Sequence, residues 1–359
     1  MTETGVGEAD SVGTLDGFLP SNGAYFIAEA GVNHDGDLAQ ARELVDAAAD
    51  AGADAVKFQT FAADRLVSPD APKAEYQEET DEADSQYEML RRLELPPTAH
   101  DELIEYCADR GIQFLSTPFD PESADLLDDL DLPAIKLGSG ELDNVPLLRH
   151  VAGFGRPLLI STGMGTLEEV QTALDTVREA GSPPVALFHC TSAYPAPLED
   201  VNLRAMQTMD EAFDVPVGYS DHTTAVETPA LAVAAGARLV EKHFTLDKTL
   251  PGPDHAASLE PDELARAVSL VRDATTALGR PEKRPTETET ANRDVIRKSL
   301  HATTTIERGE HFDRSNVSVV RPADGLAPGE LDALVGHRTA TTLEAGDPVT
   351  ADTVEGWDR

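Results

Sequence analysis

Eight short apolar runs, each followed by a polar turn and then by a stretch with apolar residues at the helical spacing of three and four, constrain this chain most. The runs cover residues 25–30, 55–61, 113–118, 134–137, 157–162, 185–190, 216–220 and 239–244. Segments between them, such as DLAQARELVDAAADAG and TLEEVQTALDTVREAG, end on a glycine, a usual helix stop. Eight strand-then-helix units in roughly 250 residues predict an α/β fold of the TIM, (β/α)8, barrel type. A doubly wound open sheet is the alternative, but no G-x-G-x-x-G loop follows the first run.

The barrel is expected over residues 24–279. Residues 1–23 have neither a basic start nor an apolar core, so they read as a flexible tail and not as a secretion signal. Beyond the barrel, RPEKRPTETETANRD reads as an exposed connection, with the linker at 280–296. Residues 297–359 then hold short β-like pieces, SLHATTTI, NVSVVRP, HRTATTL and DPVTADTV, expected to form a small β-rich domain. Cys107 and Cys190 are too few for a disulfide framework, and Cys190 is expected to pack rather than react.

Charge narrows the partners. Lys plus Arg number 28 and Asp plus Glu 66, for a net charge of −38, which would repel nucleic acid and anionic membranes. No run approaches the 18 or so apolar residues of a membrane span. Acidic residues spread along the whole chain, with few lysines, suggest a protein kept soluble in high salt, and a cytoplasmic location is expected.

A barrel of this type carries its chemistry at the C-terminal ends of its strands. Taken in order, those ends offer Glu29, Asn33 and His34; Lys57 and Gln59; Thr117; Lys136, Ser139 and Glu141; Ser161 and Thr162; Ser192 and Tyr194; Ser220 and His222; and His243, with Asp254 in the following loop. Buried charge is costly unless used or paired, so lysines, glutamates and histidines on one rim point to an enzyme. His222 and His243 end neighbouring strands, and two converging neutral imidazoles suit half of a metal site with open positions.

Nine motifs in register carry a resemblance: IAEAGVNHDG, VKFQT, FLSTPF, IKLGSGE, STGM, HCTSAYP, YSDHT, EKHFT and PGPDH. Together they resemble the sialic acid synthase family, which includes the bacterial N-acetylneuraminate, legionaminate and pseudaminate synthases. The tail, with RKSLHATTTIERGEHF and VVRPADG, is similar to that family's antifreeze-like (SAF) domain. The resemblance implies condensation of phosphoenolpyruvate with the open-chain aldehyde of an N-acetylated amino sugar, giving a nine-carbon 2-keto acid and phosphate. It implies a divalent metal, Mn2+ or Mg2+, on His222 and His243. Lys57 and Lys136, helped by Thr117, Ser139, Ser161, Ser192 and Ser220, would hold phosphoenolpyruvate. Glu29 or Glu141 would move the proton, and Gln59, Tyr194 and Asp254 would contact the sugar. Arg321 would reach from the tail domain into a partner's site, implying a domain-swapped homodimer.

Two departures stand out. The family pattern R-P-G-x-G is Arg321, Pro322, Ala323, Asp324 and Gly325 here, so the loop presenting Arg321 is expected to differ. The segment 64–86 is acidic for a chain that would bind phosphoenolpyruvate. Two rival readings remain. Lys57 or Lys136 could be the Schiff-base lysine of a class I aldolase, or the tail could make this a binding protein. Of Glu241 and Lys242, which alternate beside His243, at least one is expected to be structural.

Overall fold

The computed structural model describes residues 14–21, 23–73 and 83–357, and these divide into two units split after Gly279. In the first unit, eight parallel strands run in the order β3-β2-β1-β8-β7-β6-β5-β4, with β3 and β4 side by side at the seam. They are β1 (Tyr25–Gly31), β2 (Ala55–Thr60), β3 (Gln113–Pro118), β4 (Ile135–Leu137), β5 (Leu158–Ser161), β6 (Val185–Cys190), β7 (Val217–Asp221) and β8 (Leu239–His243). This is the expected (β/α)8 barrel.

Alternation along each strand divides the side chains between two cores. Outward residues such as Phe26, Val56, Phe114, Tyr219 and Val240 pack under the helices. Inward residues Ile27, Ala55, Leu115, Ala134, Leu159, Ala186 and Leu239 fill the barrel's N-terminal half with an apolar layer. Two residues further along several strands, the inward positions turn polar: Glu29, Lys57, Thr117, Lys136, Ser161 and Glu241. The apolar layer is therefore the floor on which the charged layer stands.

The N-terminal tail departs from expectation at its end. Phe18 is buried and packs edge-on against Tyr25, with ring centroids 5.2 Å apart, so it joins the apolar core at the start of β1. Residues 1–13 and Asn22 lie outside the described residues, as do residues 74–82 of the acidic 64–86 segment.

The second unit begins with the segment expected as a linker. Helix Glu287–Ile296 occupies most of 280–296, started by a capping box in which Thr286 and Glu289 satisfy each other's backbone N–H. None of its residues is buried. The β-rich expectation holds for β9 (Ser299–Ala302) and β10 (Val317–Val320), which pair antiparallel. HRTATTL and DPVTADTV join only through isolated bridges, including Ile306 to Leu343 and His301 to Pro348. Leu300, Ile306, Phe312, Leu334 and Val349 form a core of this unit's own.

Candidate active site

The C-terminal mouth of the barrel holds a cavity of about 210 Å3. Its lining includes Glu29, Lys57, Gln59, Thr117, Lys136, Ser139, Ser161, Ser192, Tyr194, Ser220, His222 and His243, residues from all eight strand ends. A larger hollow of about 420 Å3 at the opposite end of β7 and β8 is lined by Asp210, Asp214 and Arg238 among others and has no imidazole or lysine.

Four charges cross the cavity floor. The Lys57 ammonium donates to Glu29 at 2.8 Å and to the Thr117 hydroxyl at 2.9 Å, and stands 3.6 Å from Glu241. The Lys136 ammonium donates to the Ser161 hydroxyl at 2.6 Å and stands 3.6 Å from the other Glu241 oxygen. Ser220 donates to that same oxygen at 2.8 Å. Glu241 thus bridges the two lysines.

Burial and pairing set the protonation of these groups. Burial pushes the Glu29 carboxyl up to about 7, against the pull of Lys57. Burial also opposes charge on Glu241, but Lys136 and Lys57 outweigh it and hold that carboxyl at about 2. Lys57 is raised because Glu241 and Glu29 overcome its burial, whereas burial wins at Lys136 and lowers it. Two carboxylates of one type are therefore shifted in opposite directions on one rim.

The imidazoles of His222 and His243 meet edge to face, 5.4 Å between centroids. Tyr194 stacks on His222 at 4.2 Å. His222 Nδ1 lies 2.8 Å from the Thr191 carbonyl, which can only accept, so Nδ1 carries the proton and Nε2 keeps its lone pair. Burial lowers His222 to about 4 and His243 well below its ordinary value, so both rings are neutral. The buried Nδ1 of His243 has no hydrogen-bond partner, and the Asp254 carboxylate stands 3.9 Å from it. Neutral rings, a His222 Nε2 lone pair met at long range by the Tyr194 and Ser220 hydroxyls, at 3.3 and 3.5 Å, and a His243 nitrogen without a partner fit a divalent cation held by two imidazoles. Among the described residues no group of three or more histidines, cysteines, aspartates or glutamates is placed to hold a metal ion.

Some expected residues lie elsewhere. The Glu141 carboxylate, outside the cavity lining, accepts from the Asn144 amide at 2.6 Å. Asn33 is structural, donating to the Phe244 carbonyl at 2.8 Å and tying the loop after β1 to the end of β8. His34 is fully buried outside the cavity lining. Asp254 is also outside the cavity lining, its Oδ2 3.4 Å from where a Cβ on Gly31 would stand, as is Glu29 Oε1. Burial raises it to about 6. Arg321 is exposed in the second unit. Its loop tolerates the departure from glycine: Ala323 needs no left-handed backbone, and its N–H donates to the Asp294 carbonyl at 2.8 Å.

Glu241 is the charged residue of the cavity lining that sequence reasoning left unassigned. Its signal was present, since two residues before His243 on one strand is the same face. Lys242, facing the other way, pairs with Asp221 and is the structural member of that couple.

Residues 44–283 match the model of the NeuB family and residues 297–355 that of the SAF domain. N,N'-diacetyllegionaminic acid synthase of Legionella pneumophila is 48% identical over 92% of this chain and 94% of its own length. The Campylobacter jejuni enzyme of the same name is 46% identical over 86% of this chain and 94% of its own. A crystal structure of N-acetylneuraminic acid synthetase from Leptospira borgpetersenii in complex with citrate superposes with a TM-score of 0.67 at 35% identity, covering 76% of this chain and 90% of that one.

Proposed function

The chain belongs to the NeuB family, and from that premise we propose that it condenses phosphoenolpyruvate with an N-acetylated amino sugar, forming a nine-carbon 2-keto acid and releasing phosphate. The observation that carries this reading is the rim itself: two neutral imidazoles beside two lysines that share a bridging carboxylate. The names of the two legionaminic acid synthases support a diacetamido hexose as the preferred acceptor.

Each group has a task in that reaction. Lys57 and Lys136 bind the carboxylate and phosphate of phosphoenolpyruvate as point charges, and the hydroxyls of Thr117, Ser139, Ser161, Ser192 and Ser220 complete the oxygen shell. The enol carbon attacks the sugar aldehyde, water adds to the cationic carbon so formed, and the C–O bond to phosphate breaks. Glu29, poised near neutrality, exchanges a proton with the sugar oxygen. Glu141, whose carboxylate accepts from Asn144 outside the cavity lining, is the less suited of the two for that task. Gln59 and Tyr194, which line the cavity, orient the sugar chain. His222 and His243 hold the divalent metal, Mn2+ or Mg2+, which when bound polarises the aldehyde as a Lewis acid. Arg321 acts on the site of a second copy in a domain-swapped homodimer.

Phosphate release from phosphoenolpyruvate, assayed with N-acetylmannosamine and with diacetamido hexoses, tests the reading. Release should require the sugar and be abolished by EDTA and by His222→Ala. Turnover undiminished in a metal-free preparation would overturn the metal assignment, and no release with any amino sugar would overturn the condensation. The lowered pKa of Lys136 is what a Schiff-base aldolase needs, but that chemistry leaves the imidazole pair without a task. Borohydride trapping of a keto acid on Lys136 would install it instead. For Arg321, mixing His222→Ala and Arg321→Ala proteins should restore activity that neither has alone; a mixture as inactive as its parts rules out action in trans.

A further inference from the structure

Behind the imidazole pair, on the helix side of the barrel wall, lies a cluster that touches neither the cavity nor solvent. Asp221 ends β7 and Lys242 is its partner in β8, and each is wholly buried. The Lys242 ammonium donates to Asp221 Oδ2 at 2.8 Å, to the Thr223 carbonyl, and to the Thr223 hydroxyl at 3.3 Å. Asp221 Oδ1 accepts from the Thr223 N–H at 2.9 Å and from the Tyr219 hydroxyl at 3.3 Å. Every bond in this set meets a residue on one side or the other of His222, or the residue just before His243.

Stability is a weak reason for such a pair. Taking two charges out of water costs several kcal/mol per ion, and apolar replacements of similar volume are often as stable or more so. Geometry is a stronger one. His222 stands outside β7, in a turn whose path the strand ladder does not dictate, whereas His243 is the last residue of β8. Lys242 reaches from the strand carrying His243 to both neighbours of His222, so the turn cannot shift without breaking a buried charge contact.

We propose that the Lys242–Asp221–Thr223 cluster is the positioning device of the imidazole pair, clamping the turn that carries His222 to the strand that carries His243 and so setting the spacing at which a divalent cation is held. This rests on the metal reading above. Surrounding groups of this kind commonly change metal affinity by about 10–100-fold when removed.

The test separates placement from stability. Asp221→Leu/Lys242→Met removes both charges at similar volume, and Asp221→Asn keeps the shape and the bond to the Thr223 N–H while removing the charge facing Lys242. Mn2+ affinity is read from the electron paramagnetic resonance signal of free Mn2+, and folding from thermal unfolding of the metal-free protein. The expected result for the double variant is a folded protein whose Mn2+ dissociation constant is raised about 10–100-fold; Asp221→Asn, which leaves the Lys242 charge buried without its anion, is expected to raise it too and to lower the unfolding temperature further than the double variant does. Unchanged Mn2+ affinity in either folded variant overturns the proposal while leaving the metal reading intact. If neither variant folds, Thr223→Val, which keeps both charges and removes only the hydroxyl that Lys242 meets at 3.3 Å, decides on the same readout. A native protein that takes up no Mn2+ overturns the metal reading, and this inference with it.

Discussion

Glu241 shows how much one side chain can carry at the residue scale. It is the anion that two buried ammonium groups share, so Glu241→Gln leaves Lys57 with Glu29 alone and Lys136 with neutral partners. Removing one partner of a buried ion pair costs about 3–5 kcal/mol, and a denaturant midpoint lowered to match is expected; an unmoved midpoint would mean that the lysines are braced some other way. His34 gives a pH dependence. Burial lowers its pKa from 6.5 to about 4, and its buried Nε2 has no partner. Below pH 6.5 the unfolded chain takes up a proton that the folded one refuses. Stability is therefore fully present above pH 6.5 and is lost as pH falls towards 4, by up to about 3 kcal/mol. Unfolding free energies at pH 7 and 4.5 should fall less steeply in His34→Gln; an equal fall in both proteins counts against this origin. The residue types of the site were legible because few other reasons exist to place lysines and histidines at apolar strand ends. Which carboxyl binds its proton more tightly was not, because Glu29 and Glu241 differ in their distances from the two lysines and in the hydroxyl of Ser220 that only Glu241 accepts from.

At the scale of elements, the β7–β8 pair decides whether the two imidazoles meet. Gly218 faces into the barrel where a Cβ would lie 2.6 Å from the Leu239 carbonyl of the next strand. Gly218→Ala should push β7 away from β8, at a cost of about 1–3 kcal/mol, and should weaken Mn2+ binding in parallel. Native stability and native Mn2+ affinity in that variant would show that the strands can absorb the methyl group. The strands themselves were legible as apolar runs bounded by turns, since the inward and outward faces are both buried. Helix Glu287–Ile296 was not, because nothing apolar marks a buried face; its capping box, Thr286 to Glu289, was the sign available. HRTATTL and DPVTADTV looked like strands by composition, yet they make single bridges, since alternation alone cannot say whether a partner runs alongside.

At the scale of the whole molecule, the net charge of −38 acts on stability through self-repulsion that salt screens. Unfolding midpoint and activity should both rise with KCl from about 0.1 M, where the Debye length is about 10 Å, towards molar concentrations. Equal midpoints in low and high salt would remove the case for adaptation to a salty environment. The order of strands, the end of the barrel that bears the chemistry and the residue types on its rim follow from the sequence alone, because chain periodicity and the handedness of parallel crossovers leave few alternatives. Only the tertiary structure decided that Glu241 bridges the lysines while Lys242 clamps Asp221, that Glu141 leaves the cavity, and that Glu29 stays poised near neutrality. Those outcomes depend on distances of a few ångströms between residues far apart in the chain, and on water excluded by both, neither of which a linear pattern contains.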